Sequence, residues 1–286
     1  MNASPPAPLT ALIQMTSGID PDANLATIDR AIADAAARGA AMAFLPEMSL
    51  LLDRDRARSG GHIAREADSH WPAALQEMAQ KHGIWLHSGS MPLLADDGER
   101  RVNRSHVIAA DGSIRARYDK VHMFDVALPS GENWRESATY VGGDSIAVVD
   151  TPLGRMGLSI CYDIRFPELY RTLAERGATI IAIPAAFTVS TGEAHWHVLM
   201  RARAIETQCH VVAAAQCGTH ADDRQTYGHS VAIDPWGAIL ADAGGEEAMV
   251  EKGYALTLAP VDAAAVERAR RAIPLAGSRT NRTLTL

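Results

Sequence analysis

Three residues of this chain could together break an amide bond: Cys161 in GRMGLSICYDIRFPEL, Glu47 in AMAFLPEMSLL and Lys120 in RARYDKVHMFD. A cysteine attacks as its thiolate, and an unperturbed thiol with a pKa of about 8.5 is mostly protonated at neutral pH, so the chemistry needs a base. A carboxylate in apolar surroundings, with its pKa raised, can take that proton and later return it. Glu47 has apolar residues on both sides, where carboxylates are uncommon unless paired or chemically employed. A lysine ammonium beside the reacting carbon can hold the oxyanion of a tetrahedral intermediate, and one lost donor there typically costs roughly 3 kcal/mol. Singly, each has a plainer reading: a buried core thiol, a cap or surface carboxylate, a solvated lysine. As a set they suffice for amide hydrolysis with neither metal nor histidine.

The surrounding pattern places each of them after a strand. The apolar run Met156 to Ile160 delivers Cys161 to a strand end, and the following helix carries Leu169, Leu173 and Ala174 on one face. A thiol on such a strand-to-helix bend is expected to stand exposed at the sheet edge. Glu47 follows a strand over Ala41 to Leu45 and Pro46, and Lys120 follows a short strand, between Tyr118, Val121 and Phe124. Further elements read out in order. PLTALIQM is a strand; a helix is capped at Asp20-Pro21, striped by Leu25, Ile28 and Ile32, and closed by Gly39. Another helix is expected over Ala64 to Lys81, a strand over Ile84 to Ser90, and a hairpin around Asp111-Gly112. ARGAAMAFLPE and ERGATIIAIPAA repeat Arg-Gly-Ala and Pro at the same spacing, which suggests two similar halves and two sheets packed face to face.

LPEM, YDKVHMFD and GLSICYDIRFPEL, with Lys120 73 residues after Glu47 and Cys161 another 41 beyond, resemble the carbon–nitrogen hydrolases of the nitrilase superfamily. The likeness extends from about Leu9 to Ile273. It implies an α/β fold, a four-layer α-β-β-α sandwich, with Glu47 as general base, Lys120 as oxyanion stabiliser and Cys161 as nucleophile. It also implies that Glu136, otherwise an ordinary loop carboxylate in WRES, orients the lysine and substrate. A homodimer is implied too, in which sandwiches pack helix to helix and the C-terminal tail crosses the partner. HWHVLMRARAIETQCHVVAAAQCGTH and YGHSVAIDPWGAIL look like the branch that cleaves deaminated glutathione to 2-oxoglutarate and cysteinylglycine. The ω-amidases, which act on 2-oxoglutaramate, share the catalytic motifs but generally lack the AAAQCG-to-YGHS segment, and N-carbamoyl amino acid hydrolysis is a further alternative. Two positions depart from the branch: His197 stands where it usually has glutamate, and Ala127 where an acidic residue often follows FDV.

For the substrate, Arg165 offers a guanidinium fork that matches a carboxylate, with a salt bridge to Asp163 or Glu168 as the equal alternative. By resemblance to 2-oxo-amide-cleaving members, Phe187 and Thr191 line the pocket, and Tyr162 joins them beside the thiol. His195, His197, Cys217 and His220 could suggest a metal, but histidines two apart on a helix diverge. Arg201 and Arg203 read as packing and surface pairing. No phosphate-binding glycine loop appears, so no cofactor is expected. The 286 residues, 47% hydrophobic with net charge −7 of mixed sign, fit a single domain over 8–273 with a tail over 274–286, and argue against a nucleic-acid surface. Three cysteines without a paired framework, no signal peptide and no membrane-length run point to a cytoplasmic enzyme of a small-molecule amide. A non-catalytic interaction protein on the same fold would have no reason to keep the whole set.

Overall fold

The computed structural model describes residues 6–128, 131–249 and 253–275. Its first half runs β1 (Leu9–Met15), α1 (Pro21–Ala37), β2 (Ala40–Phe44), α2 (Arg56–Gly60), α3 (His70–His82), β3 (Trp85–His87), β4 (Met91–Leu94), β5 (Arg101–Ile108) and β6 (Ile114–Asp119). A small hairpin, β7 (Asp125–Ala127) and β8 (Asn133–Arg135), precedes the second half. That half comprises β9 (Val148–Thr151), β10 (Gly154–Leu158), α4 (Pro167–Glu175), β11 (Ile180–Ala182), α5 (Val189–Thr207) and β12 (His210–Ala213). Then come β13 (Cys217–Thr219), β14 (Gln225–Tyr227), β15 (Val231–Ile233), β16 (Ile239–Asp242), β17 (Tyr254–Pro260) and α6 (Ala263–Ala272).

Local chemistry explains where these elements begin and stop. The Asp20 side chain accepts from the amides of Asp22 and Ala23, Pro21 opens α1, and Gly39 at φ 78 follows its end. The helix expected from Ala64 begins only at His70, capped by Ser69, after a 3-10 turn over Glu66–Asp68. Pro72 is the reason: in a helix starting at residue 64 it would be interior, without an N–H and in collision with the preceding turn, whereas the first turn tolerates it. The strand expected over Ile84 to Ser90 is only Trp85–His87, because Gly89 adopts φ 66 and leaves the extended region.

Two sheets result. One has seven strands in the order β17-β1-β2-β3-β5-β4, with β6 on β5; the other has six, β16-β15-β12-β11-β10-β9. Period-two alternation sends Leu12, Met42 and Phe44 of the first sheet against Met156, Leu158, Ile180 and Val211 of the second. Ala11, Ile13 and Ala43 face the opposite way, onto Ile28 and Ile32 of α1 and Trp71 and Leu75 of α3. Helices α4 and α5 cover the second sheet through Leu169, Leu173, Trp196 and Met200. This is the four-layer α-β-β-α sandwich. The halves match: β1-β2-β3 and β10-β11-β12 are each parallel runs, and Gly39 and Gly177 occupy the same helix-to-strand turn at φ 78 and 87. No helix among the described residues is long and apolar enough to cross a membrane.

Candidate active site

Glu47 lies three residues past β2, Lys120 directly after β6, and Cys161 three residues past β10, so the face-to-face sheets bring loops of both halves to one place. Lys120 Nζ donates to Glu47 Oε1 at 3.0 Å and to Glu136 Oε1 and Oε2 at 3.1 and 2.9 Å. Glu136, in a 3-10 turn after β8, is fixed by the Phe124 amide at 2.6 Å. The apolar setting expected for Glu47 is not what it has. It is buried, but its carboxylate also accepts from Asn103 Nδ2 at 2.9 Å and the Ala186 amide at 3.0 Å. Gln216, from the AAAQCG segment, donates to the Glu47 carbonyl at 2.9 Å.

Cys161 adopts φ 46 at the head of a 3-10 turn, Cys161–Arg165, with its amide bonded to the Pro184 carbonyl at 2.9 Å. A non-glycine residue in this region is strained, and it persists because the surroundings over-determine it. Asp163 supplies that constraint. Its buried carboxylate accepts from Tyr118 Oη at 2.8 Å, the Ile160 amide at 2.9 Å, and the His122 amide and ring at 3.0 and 2.7 Å. One residue thus ties the YDKVHMFD segment to the nucleophile turn. The continuous helix expected after the thiol is interrupted at Phe166, and α4 starts only at Pro167. The thiol is not exposed at a sheet edge as expected. It is 8% accessible, because loops of the first half close over the strand ends.

Burial is the largest influence on the thiol and pushes its pKa up; the Glu47 carboxylate pushes the same way, against Lys120 and the Ala186 amide. For Lys120, burial alone would lower the pKa, but Glu136 and Glu47 together hold it well above the ordinary value. The site at rest is therefore a neutral thiol beside a cationic lysine held between two carboxylates.

These groups line a cavity of about 430 Å³ that also takes in Tyr162, Arg165, Phe187 and Thr191. Arg165 does not pair with Asp163, whose oxygens are spent on Tyr118, Ile160 and His122. Its Nη1 lies 3.3 Å from His195 Nδ1, and its guanidinium stands 5.8 and 5.5 Å from the Tyr162 and Phe187 rings. Thr191 Oγ1, in the first turn of α5, is 2.8 Å from Oγ1 of the N-cap residue Thr188. Arg203 packs over Tyr170 and bonds the Ile164 carbonyl, and Arg201 bonds the Gly237 carbonyl. Asn103, Trp134 and Arg224, which no sequence motif marks, also reach the cavity or its carboxylates, as does Phe124, expected only as an apolar neighbour of Lys120.

The two departures, His197 and Ala127, are not among the cavity-lining residues. The metal set considered from sequence is not assembled: His220 bonds the Ser17 carbonyl and Thr226, and His195 meets Arg165. His197 instead joins His229 and Asp242, whose ligand atoms lie within 4.8 Å of one another, a trio that could hold a divalent cation.

A family profile described as carbon-nitrogen hydrolase matches residues 9–271. The deaminated glutathione amidase of Yersinia enterocolitica is 43% identical over 80% of this chain and 80% of its own length. The crystal structure of Saccharomyces cerevisiae Nit3, a member of branch 10 of the nitrilase superfamily, superposes with TM-score 0.84 at 30% identity, over 99% of this chain and 100% of that one. An amidase from Nesterenkonia sp. AN1, a glutamate-to-glutamine mutant carrying acrylamide on its active site cysteine, superposes with TM-score 0.75 at 26% identity, over 94% of this chain and 99% of that one. With the profile spanning nearly every element of the sandwich and the Yersinia relative 43% identical, the chain belongs to the carbon–nitrogen hydrolases of the nitrilase superfamily and is a hydrolase of amide bonds.

Proposed function

We propose that this enzyme cleaves deaminated glutathione at its 2-oxoglutaramyl amide, releasing 2-oxoglutarate and cysteinylglycine. The observation that carries the reading is the Glu47–Lys120–Glu136 cluster, with Glu47 and Lys120 buried, that shares with Cys161 the wall of an arginine-lined cavity. The 43% identity to a deaminated glutathione amidase supports the substrate. In this reading Cys161 Sγ attacks the amide carbon while Glu47 takes the thiol proton. Lys120, oriented by Glu136, holds the oxyanion. Collapse of the intermediate breaks the C–N bond, Glu47 protonates the departing nitrogen, and cysteinylglycine leaves behind a thioester. Water deprotonated by Glu47 then hydrolyses the thioester and restores the thiol.

Arg165 holds the carboxylate beside the ketone, and Tyr162, Phe187 and Thr191 shape the pocket around the short chain. The catalytic unit is a single domain over 8–273, and the enzyme works as a homodimer. The test is side-by-side kinetics on deaminated glutathione, 2-oxoglutaramate and an N-carbamoyl amino acid, with Cys161→Ala as the inactive control. Deaminated glutathione is expected to give the highest kcat/KM, falling roughly ten- to a hundredfold or more in Arg165→Ala. A clear preference for 2-oxoglutaramate would move the enzyme to the ω-amidases.

A further inference from the structure

The cavity extends well past the thiol. Beyond Cys161, the Tyr162 and Phe124 rings meet with centroids 5.1 Å apart, and Phe124 and Trp134 follow at 6.1 Å. The Arg224 guanidinium lies 4.7 Å from the Trp134 ring. Arg165 stands at the other end of this aromatic wall, 5.8 Å from Tyr162. A guanidinium therefore sits at each end of a row of three rings that shares the cavity of Cys161 and begins at its chain neighbour Tyr162.

The Arg224 end is incompletely satisfied. Arg224 Nε, Trp134 Nε1 and Thr139 Oγ1 are buried, all three residues line the cavity, and none of these atoms has a hydrogen-bond partner among the described residues. Asp222 lies 3.5 Å from Arg224 Nη2, but its carboxylate also takes the Arg54 amide at 2.8 Å and faces Arg54 Nε at 3.6 Å. Asp222 is thus shared between two guanidinium groups, while the Asp53 and Glu47 carboxylates, which also act on Arg224, are bonded to Arg58 and Lys120. Buried donors without acceptors are costly, and a guanidinium fork over an aromatic face is suited to a planar carboxylate.

We infer that Arg224, with Trp134 and Arg54, forms a second carboxylate subsite that takes the C-terminal carboxylate of the peptide leaving group. This rests on the substrate proposed above. Deaminated glutathione carries one carboxylate beside its ketone and another on its glycine, whereas 2-oxoglutaramate has only the first. From the scissile carbon the cysteinylglycine arm reaches roughly 7 Å, two extended residues. The two clamps set the substrate's direction: Arg165 fixes the acyl end and Arg224 the amine end, with the scissile carbon held between them. They also explain how a peptide-bearing amide is preferred over the smaller oxo-amide on the same catalytic groups.

The experiment compares wild type, Arg224→Gln and Arg224→Lys on three substrates: deaminated glutathione, the same compound with its glycine carboxylate amidated, and 2-oxoglutaramate. In wild type, amidation should raise KM roughly ten- to a hundredfold, the loss expected for one charge-assisted contact. Arg224→Gln should raise KM for deaminated glutathione by a similar factor and make the enzyme indifferent to amidation, and Arg224→Lys should recover part of the discrimination. The loss on 2-oxoglutaramate should be at least tenfold smaller. If wild type does not distinguish acid from amide, or if Arg224→Gln lowers both natural-type substrates equally, the subsite is refuted while the substrate stands. If wild type turns over 2-oxoglutaramate and not deaminated glutathione, the substrate reading falls and takes the subsite with it. The amidated compound reports on the contact without any change to the protein, so a poorly folding variant cannot mask the result.

Discussion

At the scale of residues, the site is organised around which group carries charge. Lys120 is a cation held by two carboxylates, and the thiol next to it stays protonated because burial and the Glu47 charge oppose its ionisation. A thiol kept neutral until substrate arrives is protected from adventitious oxidation, and the proposed base already stands beside it. Glu47→Gln separates these two effects. Turnover should fall at least a hundredfold, since proton transfer is lost. The pH midpoint of Cys161 alkylation by iodoacetamide should nevertheless move down, because the neighbouring negative charge that raised the thiol pKa is gone. A midpoint that stays or moves up would remove Glu47 from the thiol's surroundings. Mass spectrometry of the variant with substrate should show whatever thioester forms persisting, since the group proposed to activate water is missing.

At the scale of elements, the placement of Glu47 depends on how closely two loops pass. A Cβ on Gly89 would lie 1.9 Å from the Pro46 carbonyl oxygen and 2.6 Å from that of Leu45, and Gly89 has φ 66. Both obstacles are backbone, so the Glu47 loop would have to move. Gly89→Ala should cost several kcal/mol, the sum of an unfavourable backbone region at about 1–3 kcal/mol and the clash, and reduce kcat/KM at least tenfold. Gly83 makes the control. Its φ is 62, yet a Cβ there meets nothing within 4 Å, so Gly83→Ala should lower the melting temperature through backbone strain alone and leave kcat/KM unchanged. Equal kinetic effects from the two substitutions would show that Gly89 does not position the catalytic loop. The same principle explains the nucleophile turn. Cys161 holds a strained φ only because Asp163 locks the turn to Tyr118 and His122.

At the scale of the whole molecule, one outer face is unusually apolar. Val198 and Ile205, two turns apart on α5, are 69% and 47% exposed, and Trp236 in the β15–β16 turn is 60% exposed. Ile205 is the closest neighbour of Gly237, so the turn that carries Trp236 packs beside the end of α5, with Arg201 between Val198 and Ile205 bonded to the Gly237 carbonyl. Large apolar side chains exposed together on one face can mark an interaction surface, and this face is the one proposed for the helix-to-helix homodimer. Light scattering should give about twice the 30.6 kDa chain mass, and Val198→Glu combined with Trp236→Glu should shift it to monomer without loss of the folded signal. A monomer in the wild type at micromolar concentration would refute the proposal. The tail expected to cross the partner lies outside the described residues from 276 onward.

What could be read from the chain alone is what short-range chemistry encodes. The Asp20-Pro21 cap, the period-two strands, the Arg-Gly-Ala repeat and the three motifs at 73- and 41-residue separations are local patterns, and they were enough to name the family, its sandwich and the residues that the structure gathers at one cavity. Local pattern misjudged the helix before Pro72 and the strand before Gly89 because one proline and one left-handed glycine outweighed the surrounding hydrophobic periodicity. Everything that depends on which segments meet was decided by tertiary packing. The thiol is buried because loops from the other half close over it. The Glu47 carboxylate meets donors from β5, from Lys120 after β6 and from the Ala186 amide. Arg224 reaches the cavity from the β13–β14 turn, 63 residues beyond Cys161, with no motif to announce it. Coulomb and desolvation terms depend on distance in space, and only the folded sandwich sets those distances.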